Sequence, residues 1–439
     1  MIINIKVFAL SLIAFCILCE YKNYFWLYKI YYENKKNKIK IAIFVTSLKN
    51  GGAERQTSLL LYYFNKLKIF NLFLFTIKEK EKNEYIIDEN VKRIVIKNNL
   101  TQILKENYID ILIYQFYFAK EIEQLNNLPK TKTIFINRSC FLHWIYYKSY
   151  YFLNSIYKAY KHCKYLISLV PFENDYLFKK WGINSILMNN FITYGYNSVK
   201  PSDLSSKTIL MIGRGDDPIK RFELGINAMS HIINEIPECE MKIISKIKLN
   251  NNLKNLVRKL NINKNIEFVG YFSDPSLYFK NASLHLFPSL AEAFPNILSE
   301  TLIYGIPNIL AGLDYVSTAK GGTVIIYDDS PISIAKISIK ILKNKRYRKK
   351  LGKEARNNMK KFKNDLLLKK WIKLILSIYK GESFYEELRN SDYKLAEEES
   401  LKIINNQIKL LKLRNKIFQN ITINDIENLT FIENIGKKM

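Results

Sequence analysis

Cysteine is scarce and unpatterned. The 439 residues contain five, Cys16, Cys19, Cys140, Cys163 and Cys239, odd in number and without metal-ligand spacing. Cys16 and Cys19 make a C-x-x-C, but inside an apolar run rather than beside a βαβ unit, which argues against a redox or zinc role. They read as small apolar fillers in a reducing compartment. Acidic residues are also few, 40 against 68 Lys and Arg, leaving a formal net charge of +28. The excess is mostly lysine spread along the chain, which reads as a solvated surface whose diffuse field favours anionic partners such as lipid headgroups. No nucleic-acid motif accompanies the charge, so nucleic acid is not an expected partner. The N-terminal apolar run, Val7 to Cys19, falls short of the about 20 apolar residues that a span needs. No small-residue cleavage site follows it, which disfavours a signal peptide.

What is present suits two domains of ordinary size with material left over, and a hydrophobic content of 48% is enough for substantial cores. Residues 1–38 stand apart. Behind the apolar run comes YKNYFWLYKIYYENKKNK, a Tyr/Trp belt and then a Lys cluster, which reads as an interfacial anchor. The expectation is a membrane-anchor or monotopic helix with the remaining chain on the cytoplasmic face. The alternative is a helix that merely packs on the protein.

From Lys40 the pattern becomes alternating α/β. IKIAIFVTSL reads as a buried strand, KNGGAERQ as a loop and TSLLLYYFNKL as an amphipathic helix. Gly51 and Gly52 allow close backbone approach at the helix start. Glu54 and Arg55 either serve a ligand or hold the loop by an ion pair. NLFLFTI, KRIVI, DILIYQF, KTIFINRS, KYLISLV and SILMNNFI continue the first half. Residues 194–207, polar and turn-rich, mark a domain boundary. The second half opens with the strand TILMIG and a loop that carries Gly213, Arg214 and Lys220. Two cations one loop apart can converge on a diphosphate, arginine as a fork and lysine as a point charge. EMKIIS, NIEFVGYF and SLHLFPS are further strands. After the last, FPSLAEAFPNILSETLIYGIP places Glu292 in the loop at a strand's carboxyl end and Glu300, with seven residues between, in the following helix. In open α/β sheets that crevice is where ligands bind. Helix N–H groups receive phosphate there, and carboxylates accept from vicinal hydroxyls. Alone, such a pair is more often a cap and a surface ion pair.

Together these strings resemble the retaining GT-B glycosyltransferases of the family 4 type (glycosyl transferases group 1). The third string matches PS-x-x-EGFP-x-x-x-x-E, with Ala293 where glycine is usual. SLKNGGAERQ is similar to L-x-x-GGAER, and the Gly213–Lys220 loop is similar to GR-x(4–5)-K. The resemblance implies α/β, GT-B: two Rossmann-like doubly wound domains facing across a cleft, with an N-terminal membrane-anchor helix and an α-helical C-terminal extension. The divisions expected are 1–38 anchor, 39–195 acceptor domain, 196–375 donor domain and 376–439 extension. It implies a glycosyltransferase, retaining, that uses a nucleotide-diphosphate sugar, UDP-linked, on a glycan or lipid-linked acceptor. Cell-surface polysaccharide or oligosaccharide synthesis at the membrane is the expected setting.

The residues implied for catalysis are Arg214, Lys220 and Glu292, with Arg138 and His143 as further contacts to donor sugar or acceptor phosphate. His143, flanked by apolar residues, reads equally as a satisfied, partly buried histidine. Donor binding is implied for Gly51, Gly52, Gly213, Arg214, Lys220, Tyr271, Glu292, Ala293, Phe294, Pro295, Asn296 and Glu300. Tyr271 would lie under the base and Glu300 would hold the ribose. The family's Ser-Glu-(Arg/His) motif is replaced by Asn137-Arg138-Ser139, so its acidic position is lost. No D-x-D signature stands in a suitable loop, and no metal or cofactor is expected beside the donor, which is a substrate. Two other readings remain: a catalytically inactive GT-B scaffold at the membrane, and a GT-B nucleotide-sugar epimerase.

Overall fold

The computed structural model describes residues 38–381, apart from 50, 98, 116–118, 129, 139–157, 216, 246–250, 271–274, 291, 314, 317–318 and 329. All but the last residue of the predicted anchor (1–38) and most of the predicted extension (376–439) lie outside the described residues, as do His143 and Tyr271. Among the described residues no helix is long and apolar enough to cross a membrane.

The first half comprises β1 (Ile39–Val45), α1 (Gly52–Leu67), β2 (Phe70–Thr76), β3 (Lys92–Val95), α2 (Leu100–Glu106), β4 (Ile111–Tyr114), α3 (Ala119–Asn126), β5 (Lys132–Ile136), β6 (Tyr165–Ser168), α4 (Pro171–Trp181) and β7 (Ile186–Leu187). Its strands form one sheet in the order β3-β2-β1-β4-β5-β6-β7, every neighbouring pair parallel. The second half comprises β8 (Thr208–Gly213), α5 (Phe222–Glu235), β9 (Glu240–Ser245), α6 (Asn251–Lys259), β10 (Ile266–Val269), α7 (Ser276–Phe279), β11 (Leu284–Phe287), α8 (Asn296–Ile303), β12 (Asn308–Ala311), β13 (Thr323–Ile326), α9 (Pro331–Lys343), α10 (Lys345–Met359) and α11 (Asn364–Lys380). Its sheet runs β10-β9-β8-β11-β12-β13, again parallel throughout.

The strands are near-continuous apolar runs because helices cover both faces of each sheet. β1 and β4 are buried almost along their whole length. In each sheet the strand order reverses beside the first strand, at β1/β4 and at β8/β11. A parallel sheet opens a crevice at such a switch point, beyond the carboxyl ends of the strands. The segment that leads into α1 leaves β1, the cationic loop leaves β8 and the Glu292 loop leaves β11.

One local reading differs from the sequence expectation. GGAERQ is not a loop: Gly51 caps α1 in extended conformation and the helix begins at Gly52, so Glu54, Arg55 and Gln56 ride on its first turns. Beyond β13 the helical stretch 331–380 is broken twice. Asn344 caps α10 through its side chain, and extended Lys363 precedes α11. α11 then leaves the second sheet. Its Trp371, Ile372, Leu374, Ile375 and Ile378 are buried in one cluster with Ile39, Ile41 and Phe64 of the first domain, and Trp371 meets Phe64 edge-on at 5.9 Å between ring centroids.

Candidate active site

The cationic loop after β8 is built to carry Lys220. Asp217 turns the chain by accepting from the Ile219 amide at 3.1 Å, and a short 3-10 turn, Pro218–Lys220, follows. Arg221 ends that turn at φ +54°, a left-handed conformation that a side chain adopts only at a cost of roughly 1–2 kcal/mol. Gly213 makes room for Lys220: a Cβ there would lie 2.9 Å from its Cγ. The loop after β11 is bolted to the first. The Leu290 amide donates to the Ile219 carbonyl at 3.0 Å, and the Tyr315 hydroxyl donates to the Ser289 carbonyl at 2.9 Å.

These supports bring the Lys220 ammonium onto the Glu292 carboxylate, which also accepts from the Ser289 hydroxyl at 2.7 Å. Both charged side chains keep a fraction of their surface in water, 18% and 15%. An ion pair near solvent contributes up to about 1 kcal/mol, so it can exchange partners with an incoming anion. Arg214 stands at the rim, 58% exposed, with its guanidinium 2.7 Å from Asp217. Burial works against the charge of Asp217, yet the Arg214 hydrogen bond and the charges of Arg214 and Lys220 prevail and hold its carboxyl below the usual range. Lys220 also lies over the Phe287 ring.

Glu300 is placed differently. Its side chain has no exposed surface and sits 2.7 Å from the Arg55 guanidinium of α1, while the Thr193 hydroxyl donates to it at 2.8 Å. Burial disfavours the Arg55 charge, and Glu300, Tyr85 and Tyr194 more than restore it, so its pKa is raised. Of the two roles open to Arg55 in the sequence, an ion pair is what forms, but with Glu300 of the other domain.

Around the start of α8 the two domains are knitted together. Gln56 donates to the Asn296 side chain at 3.0 Å and to the Phe191 carbonyl at 2.8 Å. Asn190 donates to the Phe294 carbonyl at 2.9 Å and is itself held by Arg138 at 2.5 Å. Arg138 also donates to Gln115 at 2.6 Å. The Asn296 amide reaches the Gly52 carbonyl at 3.5 Å, so Gly52 approaches α8, and the Glu54 carboxylate lies where a Gly51 Cβ would stand. The side chains of Ala293 and Phe294 are buried, and Phe294 meets Phe362 edge-on at 5.4 Å. Asn137 hydrogen-bonds buried Glu173 of α4 at 3.3 Å.

Of the residues expected at the site, Gly213, Lys220 and Glu292 meet directly, Arg214 flanks them, and Ala293 to Asn296 continue the same loop. Glu300, Arg138, Gly51 and Gly52 line the seam between the domains. Sequence reasoning missed Gln56, Asn190 and Thr193. Gln56 follows the GGAER string directly, which was a usable signal; Asn190 and Thr193 carry none.

Two all-parallel doubly wound domains, each presenting loops at its switch point, define the GT-B architecture. The second domain is more specific: residues 197–358 match the model of the family described as Glycosyl transferases group 1, so this stretch is a glycosyltransferase-type domain. A curated relative, an uncharacterized glycosyltransferase of Haemophilus influenzae, is 26% identical over 151 residues, 34% of this chain and 42% of the relative. The chain thus spans under half the length of that relative. Among solved structures, sucrose-phosphate synthase from Thermosynechococcus elongatus superposes with a TM-score of 0.67 at 14% identity, over 79% of this chain and 100% of that one. Anabaena HepE in complex with UDP and glucose gives 0.63 at 13%, over 77% and 100%.

Proposed function

We propose that the protein transfers a sugar from a nucleotide-diphosphate sugar, UDP-linked, to a glycan or lipid-linked acceptor in cell-surface glycan synthesis, with retention of configuration. The observation that carries this is the Lys220–Glu292 pair at the β8/β11 switch point, with Arg214 at its rim. A diphosphate exchanges with Glu292 for Lys220, and Arg214 closes on the second phosphate. Glu292, released, accepts from a hydroxyl of the transferred sugar. Ribose hydroxyls reach Glu300 along the seam between α1 and α8. The UDP bound in a structure of the same fold supports the choice of base.

Transfer breaks the bond between the anomeric carbon and the β-phosphate oxygen. The acceptor hydroxyl attacks from the same face and passes its proton to the departing phosphate. The charge that grows on the leaving group is met by Lys220 and Arg214, aimed there in advance, so transfer is expected to survive EDTA. The acceptor side belongs to the first domain, where Arg138 and His143 are the candidates, and the basic surface with residues 1–38 would keep the enzyme at the cytoplasmic face of a membrane.

Lys220→Ala and Arg214→Ala should each lower turnover by on the order of 10²-fold or more without lowering the melting temperature appreciably. Full activity in both would refute the phosphate assignment. Titration with UDP separates this function from an inactive scaffold that binds no nucleotide, and product analysis without acceptor separates it from an epimerase.

A further inference from the structure

Glu300 belongs to the second domain, yet both groups that fix its carboxylate come from outside it. Arg55 rises from the second turn of α1, and Thr193 lies on the stretch that joins the two sheets. Both reach the same atom, Oε1, at 2.7 and 2.8 Å. Two contacts on one oxygen set the rotation of the carboxylate plane about its own axis. The cation also preserves the charge, because a carboxylate without exposed surface stays ionised only beside a positive partner. A carboxylate accepts about four hydrogen bonds in all, so orientation by Arg55 and Thr193 is compatible with acceptance from a vicinal diol once the seam, closed over Glu300 in this structure, parts to admit it. Arg55 is anchored in turn by Tyr194, whose ring meets Tyr304 edge-on at 5.7 Å, one helical turn beyond Glu300.

We propose that Arg55 is a positioning residue for the nucleoside end of the donor: from the acceptor domain, it orients and keeps ionised the carboxylate that recognises the ribose diol. This rests on the ribose role given to Glu300 above. Arg55 touches no reacting atom; it acts through Glu300. Nucleotide recognition is then shared between the domains, and the segment that begins at Gly51 and Gly52 feels whether a diol is bound.

The test compares the affinities of UDP and 2′,3′-dideoxy-UDP for the full-length protein by calorimetry. Wild type should prefer UDP by on the order of tenfold or more, because the dideoxy analogue cannot donate the diol's hydrogen bonds to the buried carboxylate. Glu300→Gln should erase most of that preference. Arg55→Gln should erase it as well, while the affinity for the dideoxy analogue stays within about twofold of wild type; changes of this size correspond to ordinary coupling between sites. Arg55→Lys, which keeps the charge without the fork, should retain an intermediate preference and the wild-type melting temperature, and decides the matter if Arg55→Gln does not fold. If Glu300→Gln lowers the preference and the folded Arg55 variants do not, or if they weaken both nucleotides equally, the positioning role is overturned while the ribose role stands. If wild type does not bind UDP, or Glu300→Gln keeps the full preference, the ribose role falls and takes this proposal with it.

Discussion

Lys220 owes its position to a residue with no side chain. Its stem lies where a Cβ on Gly213 would stand, and the atom that would be struck is Cγ, too close to the main chain to swing aside cheaply. Gly213→Ala should therefore move the ammonium away from Glu292 without unfolding the protein. We expect kcat/KM to fall on the order of tenfold, equivalent to about 1.4 kcal/mol of transition-state stabilisation, with an unchanged circular-dichroism spectrum. A wild-type rate in that variant would show that the lysine stem relocates freely. His285 makes a second test at this scale. Burial drives its pKa down to about 4, partly opposed by its hydrogen bond with Asn308. The unfolded chain takes up that proton near the ordinary value of about 6.5, so it binds more protons than the folded chain between these two values. Stability contributed by neutral His285 is then complete above the upper value and is lost as pH falls toward 4, to a total on the order of 3 kcal/mol. Denaturant titrations from pH 7 to 4 should show this slope, and His285→Leu should flatten it.

At the scale of elements, the alternation of apolar runs with amphipathic stretches was legible because a parallel sheet covered on both faces needs uninterrupted apolar strands; the runs read as strands correspond to β1 through β11 with small shifts at their ends. The loops that follow β8 and β11 were legible for another reason: they set charged side chains beside glycine and proline at strand ends, a pattern that neither core nor surface packing calls for. Arg55 was legible only in part. Its string pointed to the site, but its partner Glu300 is hundreds of residues distant, and no local pattern encodes a contact made by the docking of two domains. The same holds for Gln56 and Asn296, 240 residues apart. The destination of α11 follows from packing. Its apolar face resembles that of any amphipathic helix, and the fit of Trp371 against Phe64 decides which sheet it covers. Trp371→Ala should cost about 3–5 kcal/mol, and hydrogen exchange should report the loss in β1, β2 and α1 rather than in the second sheet.

At the scale of the whole molecule, the two domains are joined by two passages of chain, one after β7 and one before α11. They are fastened to each other. Asn364 accepts from the Ile192 amide and donates to the Ile192 carbonyl, both at 2.8 Å, and donates to the Tyr63 hydroxyl at 2.6 Å. Asn364→Ala leaves that main-chain pair without its partner, a loss of about 1–3 kcal/mol that a thermal melt should register. Saturating UDP should recover part of it, since a ligand that binds only the folded protein adds stability by mass action; a melting temperature indifferent to UDP in wild type and variant alike would contradict nucleotide binding.

That knot also dictates how the protein can swing. A body hung from two straps tied at one point turns about the knot, and places near it travel least. Thr193 follows Ile192 directly, so in any such turn the corner that holds Glu300 would travel least and the far lips of the crevice would sweep through the widest arc.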